Sequence, residues 1–298
     1  MAWHFVERKN INQKKWDQIV QGFAGGIPYS YSWYLDIVSS QWEALILNDY
    51  EAICALPFNR KKFGFRQLYR PFYVQQLGWI ESNAMSSKNI SALLDKISAR
   101  YFFIHYAFHE KNTQHLKNSA QFSLKPNNIL DLSGDYINIY KSYARGLKYS
   151  LKKAAKLDLK IVQSVDTPQL IHLFKSQLGG KISAFGSKQY QTMAKLIDTC
   201  IQNNQGQLWE VQSSSEHLLS MAFFLRNPKR IINLFQVSTQ EGRKAHAISF
   251  LFDHLIQQNA CKNLVFDFEG SEIESVRNFM KSFGAKDRPY VVLNKKWV

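Results

Sequence analysis

Cysteine, proline, glycine and acidic side chains are all scarce in this chain, and each shortage excludes something. The three cysteines, Cys54, Cys200 and Cys261, are odd in number and far apart. A disulfide framework needs more of them, and a zinc or redox motif needs a close pair. With 7 prolines and 14 glycines in 298 residues, no collagenous, linker-rich or low-complexity tract is present. No apolar run approaches the ~18 residues of a membrane-spanning helix. The start, Met1 to Arg8, lacks the charged-then-apolar order of a signal peptide, so a cytoplasmic address is expected. The 8 histidines form no ligand pattern; His105 and His109 fall across a strand–loop transition, and no metal is expected.

Acid is short by a wide margin. Against 38 Lys and Arg stand 23 Asp and Glu, a formal charge of +15. Such a surplus suits a nucleic acid, an anionic surface or a phosphate-bearing ligand, and equally a generally basic surface. What the chain has in quantity is apolar and aromatic material, 45% and 14%, enough for a real core.

Hydrophobic periodicity orders the second half. Leu157–Val162 alternates as a strand; Asp166-Thr167-Pro168 opens a helix, and Ser187 opens another with Tyr190, Met193, Leu196, Ile197 and Ile201 on one face. Strands follow at 207–212, 218–226 and 230–237. A long helix comes after Gly242, then a short strand at 264–268, a helix at 272–283 ending on Gly284, and a strand at 290–293. The first half repeats nearly the same order, including a hairpin at 42–47 and 52–57 around Asn48-Asp49. A meander of strands beside βα units predicts an α/β fold with a mixed α+β sheet in each half. The expected domains are residues 1–134 and 135–298.

The turn Gln240-Glu241-Gly242-Arg243-Lys244-Ala245 sits between a strand and the long helix. Backbone amides at a helix start attract anions, and small residues let a phosphate approach. Arg243, Lys244 and His246 add charge. Together with the element order, this turn resembles the Gln/Arg-x-x-Gly-x-Gly/Ala loop of the GNAT acyltransferases, with Gly242 one residue early. Ser82-Asn83-Ala84-Met85, at the matching place in the first half, has no glycine, so only the second domain is expected to hold a donor.

Two further stretches resemble the Fem-type peptidyltransferases, whose architecture is two tandem GNAT-like domains. One runs from Asp131-Leu132 through Lys152-Lys153-Ala154 to Ile161. The other joins Phe266 to Ser271 with Asn278-Phe279-Met280-Lys281-Ser282-Phe283-Gly284, similar to an ending Phe-Lys-x-x-Phe-Gly with Met280 in place of the lysine. The resemblance covers residues 131 to 285 well and residues 1–130 by element order alone. It implies acyl or aminoacyl transfer from acyl-CoA or aminoacyl-tRNA to an amine held between two domains. A non-catalytic binding protein that retains the fold, or a nucleic-acid-binding module, stands as the alternative.

Acyl transfer to an amine requires a base and an oxyanion donor. Asp267 and Glu269 alternate with Phe266 and Phe268, which would aim both carboxylates at one side of a strand as candidate bases; the alternative is a solvated Asp267 and a Glu269 that caps the next helix. Met280 stands where many GNAT enzymes carry a tyrosine acid, with Gln236 and Tyr290 as substitutes. Arg70, Gln75 and Gln76, in an unusually polar and aromatic connection, are candidate acceptor contacts. Lys141, Arg145, Lys148, Lys152 and Lys156 recur at steps of three or four, a basic helix face interleaved with Tyr143 and Tyr149 that suits tRNA or another polyanion, or plain solvent.

Overall fold

A computed structural model describes residues 2–60, 64–81, 85–116, 121–179 and 185–295. Its contacts divide the chain into two units, Met1–Pro126 with Arg288–Val298, and Asn127–Asp287.

The first unit opens with β1 (Trp3–Glu7), α1 (Gln13–Gly22) and α2 (Ser32–Val38). Asn12 starts α1 by accepting the Lys15 amide at 3.1 Å, a side-chain cap on an otherwise unpaired donor. β2 (Trp42–Leu47) and β3 (Ala52–Arg60) form the expected hairpin. Every residue of β2 is buried, Glu43 included, because Arg66, Arg100 and Tyr101 bond its carboxylate at 2.6–2.7 Å. β4 (Arg66–Leu68), β5 (Trp79–Glu81), α3 (Ser87–Arg100), β6 (Phe103–Ala107) and β7 (Phe122–Lys125) complete this run.

The second unit contains β8 (Asn128–Asp131), α4 (Tyr136–Lys141), α5 (Arg145–Ala154), β9 (Lys160–Ser164), α6 (Thr167–Leu178) and α7 (Ser187–Gln202). The meander β10 (Gly206–Gln212), β11 (Leu218–Asn227) and β12 (Arg230–Ser238) follows. Then come α8 (Gln240–Lys244), α9 (Ala247–Asn259), β13 (Val265–Asp267), α10 (Glu274–Lys281) and β14 (Lys286–Asp287). The sheet order is β14-β8-β13-β12-β11-β10-β9. Its core gathers Phe224, Phe252, Phe266, Phe268 and Phe283 with Leu147 and Leu151 of α5, the aromatic excess of the composition put to use. β15 (Tyr290–Lys295) returns to the first unit, whose sheet runs β1-β2-β3-β4-β6-β15-β7 with β5 on β3.

The division therefore differs from the halves 1–134 and 135–298. β15 pairs antiparallel with both β6 and β7, so the last strand belongs to the first unit. β8 pairs with β13 and belongs to the second. Strand partners far apart in sequence decide this, and local pattern carries no trace of them.

The basic helix from Lys141 to Lys156 is also corrected. α4 stops at Lys141 and α5 begins at Arg145, with Ala144 extended between them. The Ala144 amide donates to the Ser282 carbonyl at 2.8 Å, a tertiary bond that replaces a helical one. Tyr143 is buried against Phe283 rather than interleaved with the lysines. Arg145, Tyr149, Lys152 and Lys153 remain on the exposed side of α5, and Lys156 lies beyond its end. No helix among the described residues is long and apolar enough to cross a membrane.

Candidate functional site

β12 and β13 run parallel, but only Arg230, Ile231 and Ile232 of β12 find partners on β13. β12 continues to Ser238 while β13 ends at Asp267, so the two strands part. On its other side β12 carries one extra residue, Leu234, where the register with β11 slips between Phe223 and Phe224. Such a bulge leaves backbone groups out of the ladder. Nearby on β12, the buried side-chain oxygens of Asn233 and Gln236 have no hydrogen-bond partner among the described residues.

From Ser238 the chain enters the turn singled out by sequence. Thr239 caps α8: its hydroxyl accepts the Gly242 amide at 2.9 Å and its carbonyl the Arg243 amide at 3.1 Å. The amides of Ala245 and His246 donate to Glu241 and Arg243 carbonyls. These backbone donors are thus consumed inside the turn. Gly242 is needed for another reason: a Cβ there would lie 2.0 Å from the Leu219 carbonyl oxygen, so glycine lets α8 press against β11.

Among the described residues the amides of Gln240 and Glu241 at the start of α8 also find no partner, but neither residue lines the cavity below; the donors that do belong to α9. His246 precedes it in the left-handed region, with φ 57, and supplies no side-chain cap. The first intrahelical bond runs from Phe250 to the His246 carbonyl, which leaves the amides of Ala247, Ile248 and Ser249, without a partner among the described residues, as the partly positive start of a 13-residue helix. They open on a cavity of about 320 Å³ whose walls include Ser150 of α5, Ser238, Arg243, His246 and Ser282. Arg243 is anchored at the rim, its Nη1 donating to the Ser238 carbonyl at 2.6 Å and to Gln177 at 3.3 Å, while Nε and Nη2 have no bond among the described residues. Of the six residues predicted for the donor, Gly242, Arg243 and His246 line this cavity, whereas Gln240, Lys244 and Ala245 do not. Ser150, Ser249 and Ser282 were missed. With the long helix expected directly after Gly242, Ser249 did not stand out as the third position of α9, which begins at Ala247; Ser150 and Ser282 arrive by packing of α5 and α10, which leaves no local signal.

Asp267 does not face an open cleft. It and Arg230 are a buried pair, 2% and 4% exposed, joined at 2.6 Å, and its other oxygen accepts the Glu269 amide at 2.8 Å. The carboxylate is committed to structure, because an unpaired Arg230 there would be costly. Alternation also fails past Asp267: Glu269 lies beyond the strand with φ 58, and its carbonyl accepts the Asn128 amide. Phe266 and Phe268 are in the core as expected. Glu269 itself is half-buried and stands outside the walls of the α9 cavity.

The remaining candidates separate. Met280 is buried in the core. Tyr290 belongs to the first unit, where its hydroxyl accepts from Arg70 Nη1 at 3.2 Å. Arg70 is exposed, while Gln75 and Gln76 are buried. The Gln76 oxygen holds the Glu110 amide at 2.8 Å and its amide donates to Gln75 at 2.5 Å, a scaffold role for Gln76. The Ser82-Asn83-Ala84 part of the glycine-free segment lies outside the described residues. Among the described residues no group of three or more His, Cys, Asp or Glu side chains is arranged to hold a metal ion.

A mixed sheet with parting strands, followed by a helix whose bare start opens on a basic cavity, and a second mixed-sheet unit in the same chain, define the tandem GNAT-like fold of the Fem type. FemX is similar over 96% of both chains, with a TM-score of 0.69 at 13% identity. The C-terminal domain of a putative lysylphosphatidylglycerol synthetase from Agrobacterium fabrum matches with a TM-score of 0.58 at 10% identity, over 94% of this chain and 91% of that one. A tandem GNAT protein from the clavulanic acid biosynthesis pathway matches with a TM-score of 0.53 at 10% identity, over 99% and 98%. No protein-family model and no curated protein sequence matches the chain. At these identities the likeness is one of fold, two tandem GNAT-like units in one chain.

Proposed function

We propose that the chain transfers an acyl or aminoacyl group to an amine, and that the anionic part of its donor lies against the start of α9. The observation that carries this is the uncapped helix start beside Nε and Nη2 of Arg243, which have no bond among the described residues. Three amides and a guanidinium aimed at one cavity suit a phosphate. Aminoacyl-tRNA is the donor favoured, with acyl-CoA as the second reading. α5 supplies a wall of the cavity through Ser150 and also carries Arg145, Lys152 and Lys153 outward. That cationic surface exceeds what one pyrophosphate requires, and it suits a long phosphate backbone.

The chemistry is an attack by the neutral amine on the donor carbonyl. A C–N bond forms, the ester C–O or thioester C–S bond breaks, and the amine's proton leaves to a base while the leaving group takes one up. Backbone groups at the Leu234 bulge are suited to the oxyanion, and Glu269, the first carboxylate beyond the parting of β12 and β13, is proposed as the base. Titrating the full chain with tRNA and with coenzyme A across a salt series tests the donor. A steep loss of tRNA affinity with salt is expected, since phosphate contacts release counterions. Replacing Glu269 by Gln should abolish turnover without unfolding; full retained activity excludes it as the base.

A further inference from the structure

The first unit holds a cleft of about 710 Å³ between α1, the β2–β3 turn and the end of β5. Its walls carry charges of both signs, Lys15 and Lys111 against Asp49 and Glu81. Lys15 Nζ lies 2.9 Å from both oxygens of Asp49. Glu81 is different. Its carboxylate is half-buried, and both of its bonds, from Trp79 Nε1 at 3.2 Å and the Met85 amide at 3.1 Å, fall on Oε2. Oε1 has no bond and the carboxylate no ion-pair partner among the described residues. Burial holds the carboxyl above its ordinary value, the condition that a bound cation relieves.

Two features shape the ends of the cleft. Tyr50, in the turn, has φ 66, a region that favours glycine. Its hydroxyl accepts the Asn12 amide at 2.8 Å, which ties the turn to the foot of α1. At the other end of α1, a Cβ on Gly22 would meet no atom within 4 Å, so bare backbone borders open space. A ligand of one sign would be opposed by half of these walls. A zwitterion would not, and the volume lies within the range of small-molecule sites.

We propose that this cleft binds a zwitterion with a primary ammonium, either a free amino acid or a short peptide, its ammonium on Glu81 and its carboxylate on Lys15 and Lys111. The proposal is independent of the donor cavity at α9. Calorimetric titration of the full chain with L-alanine and with L-alanyl-L-alanine tests it, with N-acetyl-L-alanine as the ammonium-free control. Saturable binding of at least one of the first two is expected, and the tighter of them identifies the source, free or peptide. The acetylated compound, and the Glu81→Gln variant, should each bind about tenfold more weakly or worse. Gly22→Phe, which fills open space and removes no charge, should block binding while the melting temperature stays near wild type; it serves as the test if Glu81→Gln fails to fold. Absence of saturable binding, equal binding of the acetylated control, or undiminished binding by Gly22→Phe would overturn the proposal.

Discussion

Replacing Asp267 by Asn changes the charge of a buried side chain while keeping its shape. The oxygen that accepts the Glu269 amide survives, but Arg230 loses its counter-charge at a place where both side chains are nearly inaccessible. Breaking a buried pair from one side costs about 3–5 kcal/mol, because the remaining charge is stranded. The second unit spans Asn127–Asp287, and at about 2.1 cal/mol/K per residue its unfolding entropy is about 0.34 kcal/mol/K. The loss then lowers its melting temperature by about 9–15 °C. Differential scanning calorimetry of wild type and Asp267→Asn measures this directly. Removing both charges with Asp267→Leu and Arg230→Met together should recover most of the loss, since an apolar pair strands nothing. A melting temperature for Asp267→Asn within about 2 °C of wild type would refute the reasoning and return Asp267 to the list of candidate bases.

Other expectations are more local. Gly242→Ala should destabilise the second unit by about 1–3 kcal/mol in urea unfolding, because the added carbon meets the Leu219 carbonyl. Ser249→Asp places a carboxylate at the buried third position of α9, in the wall of the donor cavity, and should weaken binding of an anionic donor by about tenfold or more in the titration with tRNA and coenzyme A, whereas the uncharged Ser249→Asn should weaken it less. Glu43 is pushed up by burial, but its bonds to Arg100, Tyr101 and Arg66 outweigh this and hold its carboxyl below the ordinary value. The folded chain therefore binds that proton less tightly than the unfolded one. Its stabilisation is full above the ordinary carboxylate value of about 4.3 and is lost as pH falls through the depressed value. The stability gap between wild type and Glu43→Gln should accordingly shrink as pH falls below about 4.3 in chemical unfolding.

Much of the fold was legible because apolar spacing and turn chemistry act locally. The hairpin around Asn48-Asp49, the capped start of α6 at Asp166 and the left-handed Gly284, φ 78, follow from neighbouring residues alone. Long-range choices were not legible. Nothing near Val291, Val292 and Leu293 says that they complete a sheet with β6 and β7, and nothing near Ala144 says that its amide will pair with Ser282 rather than within a helix. At the candidate site, Gly242 was found for a partly mistaken reason. It permits contact with β11, while the anion-attracting amides belong to α9. Asp267 was misread because strand alternation fixes which side a carboxylate takes but not whether Arg230 already occupies that side.

The central claim is that the donor's phosphate is held at the start of α9 beside Arg243. It is tested most directly by the affinity of the full chain for aminoacyl-tRNA and coenzyme A, compared between wild type and Arg243→Glu. Wild type should bind at least one of the two, and the charge reversal should weaken that binding by about tenfold or more with the melting temperature near wild type. Equal affinity of the two proteins, or no binding of either donor by wild type, would contradict it.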